Sequence, residues 1–294
     1  MKNQYDIRVT RIYYNYSINN LGMNKISVMS YNIWFDETER EQRLLSLIDT
    51  IKQNDPDIIC LQEVIPDIAK ILIKRLRNIY KFVYPDTIEQ SYGCMIFSRY
   101  KIIKCEQCEY IKTCMGRKLY YIVIEYNMMV KDDTCEENQY IVSRQNLVIG
   151  TSHFESEFKR FNDIKTGQYI QARKILNDLY STHGPIIFCS DTNILPHEEK
   201  YFITDDKNWS DAWQENGCDS SIEYTYDTKL NLNLKNRNIQ KEIRSRIDRI
   251  IYRGNSVLNP LSYKLIKGEP DLIEPSDHFG IMAEFELVDN TIEI

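Results

Sequence analysis

Asp57-Ile58-Ile59-Cys60-Leu61-Gln62-Glu63 is the stretch whose reading decides the fold. A break at Asp55-Pro56-Asp57 leads into it, and Ile58 to Gln62 is short and mostly apolar. Such a run predicts a strand buried on both faces, as in the middle of a layered α/β domain. The run ends on a carboxylate. A Glu there costs desolvation free energy unless it reaches water or meets a cation or donors. Taken alone, Glu63 reads as a strand surfacing into solvent; the sharper reading is a metal ligand at the mouth of a sheet.

On the N-terminal side, Ile26 to Ile33 predicts a strand, and Thr38-x-x-Glu41 reads as a capping box. Leu44, Leu47, Ile48 and Ile51 then share one helical face, and the Asp-Pro-Asp break stops that helix. On the C-terminal side, Ile68, Ile71, Leu72 and Leu76 predict a helix over Asp67 to Arg77. From Ser91 to Phe154 the texture turns to β, with strands over Met95 to Phe97, Leu119 to Tyr126 and Asn146 to Thr151. Lys131 to Gln139 is polar and reads as a loop tip. Ala172, Ile175, Leu176 and Leu179 mark another helix, closed at His183-Gly184-Pro185. Ile186 to Cys189 is a strand running into Asp191; Ile247 to Tyr252 carries Asp248; Ile281 to Leu287 is preceded by Asp277-His278. Residues 1–24 read as a polar tail or edge segment. No repeat or low-complexity linker divides the remainder, so residues 25–294 read as one domain, two sheets face to face with helices outside.

Of the 294 residues, 43% are apolar and 27% charged, enough to bury a substantial core. A net charge of −6 argues against coating duplex nucleic acid by electrostatics alone, so any such contact is local, at an end, or helped by a metal ion. Met1 to Tyr5 shows no apolar leader and no run approaches a membrane span. The expectation is an intracellular protein, nuclear or cytoplasmic, with its eight cysteines as free thiols. Cys105 and Cys108 form a lone CxxC near Cys114, with zinc as a minor alternative. Lys229 to Arg253 holds eight basic residues and two acids, whereas Gly268 to Ile294 holds eight acids and neither Lys nor Arg. These are either two solvated surfaces or a basic loop beside a site for a phosphate-bearing substrate.

Polar residues recur at strand ends: Asn32, Glu63, Asp191 with Asn193, and Asp277-His278, joined by His153 and Asp248. Singly, each has an ordinary reading as a structural histidine, a turn or a cap. Together they suit attack of water on a phosphodiester. Glu63 would hold a hard divalent cation, with Asn32 and Asp277 beside it. Asp191 would be the base, oriented by Asn193. His278 and His153 would supply cationic donors to phosphate oxygens, with Asp248 aiming an imidazolium.

Ser30-Tyr31-Asn32, Leu61-Gln62-Glu63-Val64, Ser190-Asp191-Thr192-Asn193, Asp248-Arg249 and Ser276-Asp277-His278 stand in the order of the endonuclease/exonuclease/phosphatase superfamily's motifs, which they resemble. The resemblance covers residues 26–287. It implies a DNase I-like, four-layer α/β sandwich of two mixed β-sheets flanked by helices. It also implies Mg²⁺-dependent phosphoester hydrolysis, with Mn²⁺ as a substitute. Thr151 to Ser156, Asp191-Thr192-Asn193, Met115-Gly116-Arg117, Asp211-Ala212-Trp213 and Tyr224 to Thr228 are similar to the tyrosyl-DNA phosphodiesterase 2 subfamily. That similarity implies DNA-repair hydrolysis of the bond between a topoisomerase-derived tyrosine and a DNA 5′ end, leaving a 5′-phosphate. The partner would be a single-stranded or frayed 5′ end carrying a tyrosyl or peptide adduct, met by a monomer away from membranes.

By the same similarity, His153, Ser156 and His278 would face phosphate oxygens, with Arg117 as a further substrate contact. Tyr226, a Trp in the subfamily, and Leu234 would wall the terminal nucleotide. Ser190 replaces the usual Gly, and Leu195 replaces an expected Arg, leaving Arg244 or Arg246 to supply that phosphate contact. Residues 1–24 are too short for an N-terminal ubiquitin-binding domain. Ordinary readings stand beside these: Trp213 as core, Arg117 as a surface-strand arginine, and Asp248 as an ion-pair partner of Arg246 or Arg249. The rival functions are an abasic endonuclease, a deadenylase, a lipid phosphodiesterase, unlinking of RNA–protein bonds, and a non-catalytic scaffold for nucleic-acid ends.

Overall fold

Alternate residues of the central strands divide between separate cores, and that division layers the molecule. The structure, a computed structural model, describes residues 24–131, 140–156, 162–201, 207–235, 242–268 and 273–288. One sheet is ordered β13 (Leu258–Ile266), β14 (Gly280–Leu287), β1 (Lys25–Asn32), β2 (Ile58–Val64), β4 (Gly93–Ser98), β3 (Phe82–Tyr84). The other is ordered β5 (Lys101–Glu109), β6 (Lys118–Lys131), β7 (Tyr140–His153), β8 (Ile186–Asp191), β12 (Asp248–Arg253), β9 (Trp209–Asp211). A two-stranded ribbon, β10 (Tyr226–Asp227) and β11 (Arg244–Ser245), lies apart.

Val28, Ile58 and Cys60 share a core with Leu147, Ile149, Ile187, Cys189 and Ile250 of the second sheet. Their neighbours Met29, Tyr31, Ile59 and Leu61 instead pack with helices α1 (Arg40–Asn54) and α2 (Pro66–Leu76). On the far side, Val148, Ile186, Phe188 and Ile251 pack with α3 (Asn162–His183). The layers are therefore helices, sheet, sheet and helix, as the pleat's period of two requires. Two short helices, α4 (Ala212–Glu215) and α5 (Leu232–Lys235), lie in connections. Among the described residues, no helix is long and apolar enough to cross a membrane.

The topology sets where a site can form. β1 with β2, and β7 with β8, pair in parallel, with α1 and α3 as the crossovers parallel neighbours need. In each pair both strands therefore end at the same edge. β12 runs antiparallel to β8 with Asp248 opposite Asp191, and β14 runs antiparallel to β1 with Ile281 opposite Ser30. Both of these strands begin at the edge where their partners end.

Several local expectations are corrected. Thr38 does not cap α1: Asp36 Oδ1 accepts from its amide (2.9 Å) and its hydroxyl (2.6 Å), and the helix starts later, behind Glu39. Ile71 is 40% exposed, so the buried face of α2 is Ile68, Ala69, Leu72 and Leu76. Strand β5 was not legible because it is an exposed edge strand without apolar alternation. β13 was hidden by Pro260, which sits at its bulge. Cys105 and Cys108 lie three apart on β5 and so point to opposite faces, which prevents joint chelation. Cys60, Cys94 and Cys189 are buried thiols. The expected tail at 1–24, save Asn24, and the loop tip at 132–139 lie outside the described residues.

Gly280 opens β14, two residues from His278, and a Cβ there would lie 2.4 and 2.6 Å from ring carbons of the buried Tyr31. Gly280→Ala is expected to cost about 1–3 kcal/mol through overpacking. Thermal denaturation should show a lower Tm; an unchanged Tm would mean that Tyr31 can move aside.

Candidate active site

The strand alternation predicts the site's floor. Val28 and Ser30 lead to Asn32 on the inter-sheet face; Ile58 and Cys60 lead to Gln62; Leu147 and Ile149 to Thr151 and His153; Ile187 and Cys189 to Asp191; and Ile250 stands two residues inside Asp248. The core thus turns polar toward one edge. Gln62 Nε2 donates to Ser30 Oγ (3.2 Å) and Thr151 Oγ1 (3.0 Å), tying the sheets together just below the mouth. Ser190, where the resemblance implies a Gly, is also accounted for: its hydroxyl donates to the Ser152 carbonyl at 2.7 Å.

Glu63 departs from the pleat. Regular alternation would send it after Ile59 and Leu61 into the helix-side core, yet Val64 takes that place. The β2–β4 register shifts between Leu61 and Val64, and Glu63 has φ 61°, left-handed for a residue with a Cβ. The bulge turns its carboxylate into the mouth. There Oε1 accepts from Asn32 Nδ2 (3.2 Å) and Oε2 from the Phe35 amide (3.1 Å). Trp34 (φ 56°) and Asn193 (φ 49°) are left-handed too, so backbone strain gathers around the same few side chains.

Asp191 is the centre of the floor. Its Oδ2 accepts from Asn32 Nδ2 (2.9 Å) and lies 3.2 Å from His153 Nε2, while Oδ1 accepts from the Asn193 amide (3.1 Å). Burial, then the nearby Asp248 charge, push its carboxyl up to about 7, against the pull of His278 and the Asn32 bond. The two histidines differ in charge. Burial, helped by Arg117 and His278, holds the His153 pKa well below the usual histidine range. Arg117 Nη1 lies 2.7 Å from His153 Nδ1; because the guanidinium can only donate, Nε2 carries the proton and points it at Asp191. His278 is the reverse. Burial opposes its charge, but Asp248 Oδ2 at 2.8 Å from Nδ1, together with Asp191 and Asp277, holds its pKa well above the ordinary value. The structure thus favours a charged His278 against Asp248 and a neutral His153, where two charged imidazoles were expected.

These groups open into a cavity of about 430 Å³ lined by Glu63, His153, Ser156, Asp191, Asn193, Leu195, Tyr226, Ile243, Ser245, Ile247 and His278. Tyr226 meets the His278 ring edge-on at 5.3 Å. The family model of the Endonuclease/Exonuclease/phosphatase family matches residues 29–278, from just before Asn32 to His278. The chain belongs to this family. Within it, the chain is similar to tyrosyl-DNA phosphodiesterase 2 of Rattus norvegicus, 30% identical over 274 residues, covering 90% of this chain and 67% of the relative. The same enzyme of Gallus gallus is 27% identical over 274 residues, covering 90% and 68%. The chain thus spans about two thirds of the length of these relatives. The crystal structure of D. rerio TDP2 complexed with single strand DNA product matches with a TM-score of 0.73 at 26% identity, covering 89% of this chain and 98% of that one.

Membership in the endonuclease/exonuclease/phosphatase family fits the strand-end motifs, but several substrate-side expectations are corrected. Leu234 is 1% exposed and does not line the cavity: Asn231 and Asn233 bond the Ser276 carbonyl, which turns α5 so that Leu234 faces inward. Ile243, Ile247 and Leu195 form the apolar wall instead, with Tyr226. Arg246 is buried, with Nη1 on Asp211 Oδ2 (2.6 Å) and its guanidinium over Trp213 at 4.4 Å, so it is no phosphate contact. Arg249 shares Asp211 and pairs with Glu199, leaving Asp248 for His278. The basic run is therefore partly spent on packing. Arg244 is exposed beside the cavity, bonded to Asp227 and stacked on Tyr224. Arg117 is buried behind His153 and lines a neighbouring cleft, neither a surface arginine nor a liner of the main cavity. Asp277 is half-buried beside His278 and is not in the cavity wall. No spacing rule could have singled out Ile243, an isolated apolar residue in a basic stretch.

Proposed function

We propose that the chain hydrolyses the phosphodiester joining a tyrosine phenolic oxygen to a DNA 5′ end, leaving a 5′-phosphate, as a single catalytic unit over residues 25–294. The observation that carries this reading is Asp191, its carboxyl raised to about 7, set between a neutral and a charged histidine on the floor of a cavity walled by Tyr226, Ile243, Ile247 and Leu195. The similarity to enzymes named tyrosyl-DNA phosphodiesterase 2 supports the substrate class.

The chemistry follows from the donors. Asp191, near neutral in pKa, takes a proton from water as it attacks phosphorus. His278 gives a charged hydrogen bond to a non-bridging oxygen where negative charge grows, aimed by Asp248. His153 Nε2–H holds Asp191 or a second phosphate oxygen without adding charge. The phenolate leaving group, with a pKa of ~10, departs without a dedicated acid. The apolar wall packs the terminal base and sugar without reading sequence.

The residues fit a hard divalent cation. Glu63 presents a carboxylate to the cavity, and Asp248 Oδ1 is a buried acceptor with no hydrogen-bond partner. Asp191, Asp248 and His278 offer ligand atoms within 4.8 Å of one another, but Asp248 Oδ2 is engaged by His278 Nδ1 at 2.8 Å. Glu63 is therefore the assigned ligand, for Mg²⁺ with Mn²⁺ as substitute. Such an ion, when bound, neutralises charge on phosphate and leaving oxygen. The test is release of tyrosine from a 5′-tyrosyl oligonucleotide with and without Mg²⁺. No release with excess enzyme would sink the reading, and faster cleavage of abasic duplex, poly(A) or tyrosyl RNA would replace the substrate.

A further inference from the structure

We propose that Lys165 is a positioning residue of this site: its buried ammonium fixes the turn at Asn193 and, through it, the carboxylate of Asp191. The proposal rests on reading Asp191 as the base. Lys165 lies in the first turns of α3, 2% exposed, and no strand-end motif includes it. Its Nζ donates to the Asn193 carbonyl (2.7 Å) and to Glu198 Oε2 (2.7 Å). Glu198 Oε2 also accepts from the Leu195 amide (2.8 Å), so the pair grips the turn at both ends.

That turn needs gripping. Asn193 is a non-glycine residue at φ 49°, a conformation that persists only where its surroundings enforce it. It is also this residue's amide that donates to Asp191 Oδ1 at 3.1 Å, while its side chain is committed to the Phe154 carbonyl at 3.0 Å. Were residue 193 to leave its left-handed φ, the two peptide planes that meet at its Cα would reorient relative to each other, and Asp191 would lose an amide donor that favours the ionised carboxylate. The same helix face continues the task. One turn on, Gln168 accepts from the Glu155 amide (2.9 Å) and donates to the Lys112 carbonyl (3.1 Å). Glu155 in turn accepts from Thr113 Oγ1 at 2.6 Å, within the turn that leads to Arg117 behind His153. Helix α3 thus holds both loops that set the state of the base.

A buried ion pair stripped of one partner destabilises for trivial reasons, so both charges should be removed together. The Lys165→Met, Glu198→Met double variant is expected to fold, to lose about 10- to 100-fold in kcat on a 5′-tyrosyl oligonucleotide, and to keep a near-native KM. A fall in kcat at an unchanged KM is the split that a merely structural pair would not produce. Should this variant fail to fold, the Lys165→Gln, Glu198→Gln double variant, which also removes both charges and is too short at 165 to reach the Asn193 carbonyl, is expected to show the same loss of kcat at near-native KM. A folded variant with native kcat, or one whose loss lies in KM alone, overturns the proposal. Absence of turnover by the unmodified protein would instead remove the reading of Asp191.

Discussion

Asp191→Asn is expected to lower kcat on a 5′-tyrosyl oligonucleotide by about 10³-fold or more in a folded protein. The carboxylate has two acceptor oxygens and both are used: Oδ2 faces Asn32 Nδ2 and His153 Nε2, and Oδ1 takes the Asn193 amide. An amide keeps one acceptor, sets a donor against a donor on the other side, and cannot take a proton from water. The pH dependence should change with it. In the native protein the rate should rise as Asp191 ionises, through about 7, and fall only when His278 loses the proton that Asp248 holds on it well above the usual range. The variant should lose the ascending limb and keep the descending one. A rate within tenfold of native, or an intact ascending limb, would move the base elsewhere.

The same shift has a stability consequence. The folded pKa of Asp191 is raised, so the fold favours the protonated carboxyl. That contribution is fully present below the unfolded carboxyl's pKa, ~4, and is lost as pH rises through about 7. The charge that a base at this position needs is thus the one that burial opposes.

What the sequence disclosed depended on how local each determinant is. Asn32, His153, Asp191 and Asp248 follow from a period of two carried to a strand end, so their strands and their shared face were legible from a few residues each. Glu63 was legible as a strand-end acid, but its direction depends on a bulge against β4, and no composition rule for 57–63 announces a left-handed residue there. Arg246 was misread because its partner Asp211 lies 35 residues away, on another strand. Leu234 failed for a like reason: the carbonyl of Ser276, 43 residues from Asn233, decides which face of α5 turns inward. The Thr38 capping box failed because Asp36 holds the Thr38 amide and hydroxyl in a turn and the helix begins only at Arg40, with Glu39 at the cap position. Strand ends are written in local alternation, whereas cavity walls are set by partners that only the fold brings near.

Glu63→Gln separates the metal role from the hydrogen-bonding role of that bulge. Oε1 and Oε2 each accept a donor, from Asn32 and from the Phe35 amide, so an amide keeps one bond and opposes the other. That alone predicts a local loss of order at Phe35 with the fold intact. If Glu63 also carries the cation, losing its charge removes the anionic ligand a hard ion needs, and the rate should fall about 10³-fold or more at fixed Mg²⁺. The readout that distinguishes the two is the ion itself. Mg²⁺ should raise the Tm of the native protein by mass action and leave that of the variant unmoved at the same concentration. The Asp191→Asn protein should still respond, because its ligand is intact. A Gln variant with native rate and native Mg²⁺ response would leave Glu63 as a prop for Asn32, and the cation would then belong with Asp191 and Asp248, whose Oδ1 is buried without a partner.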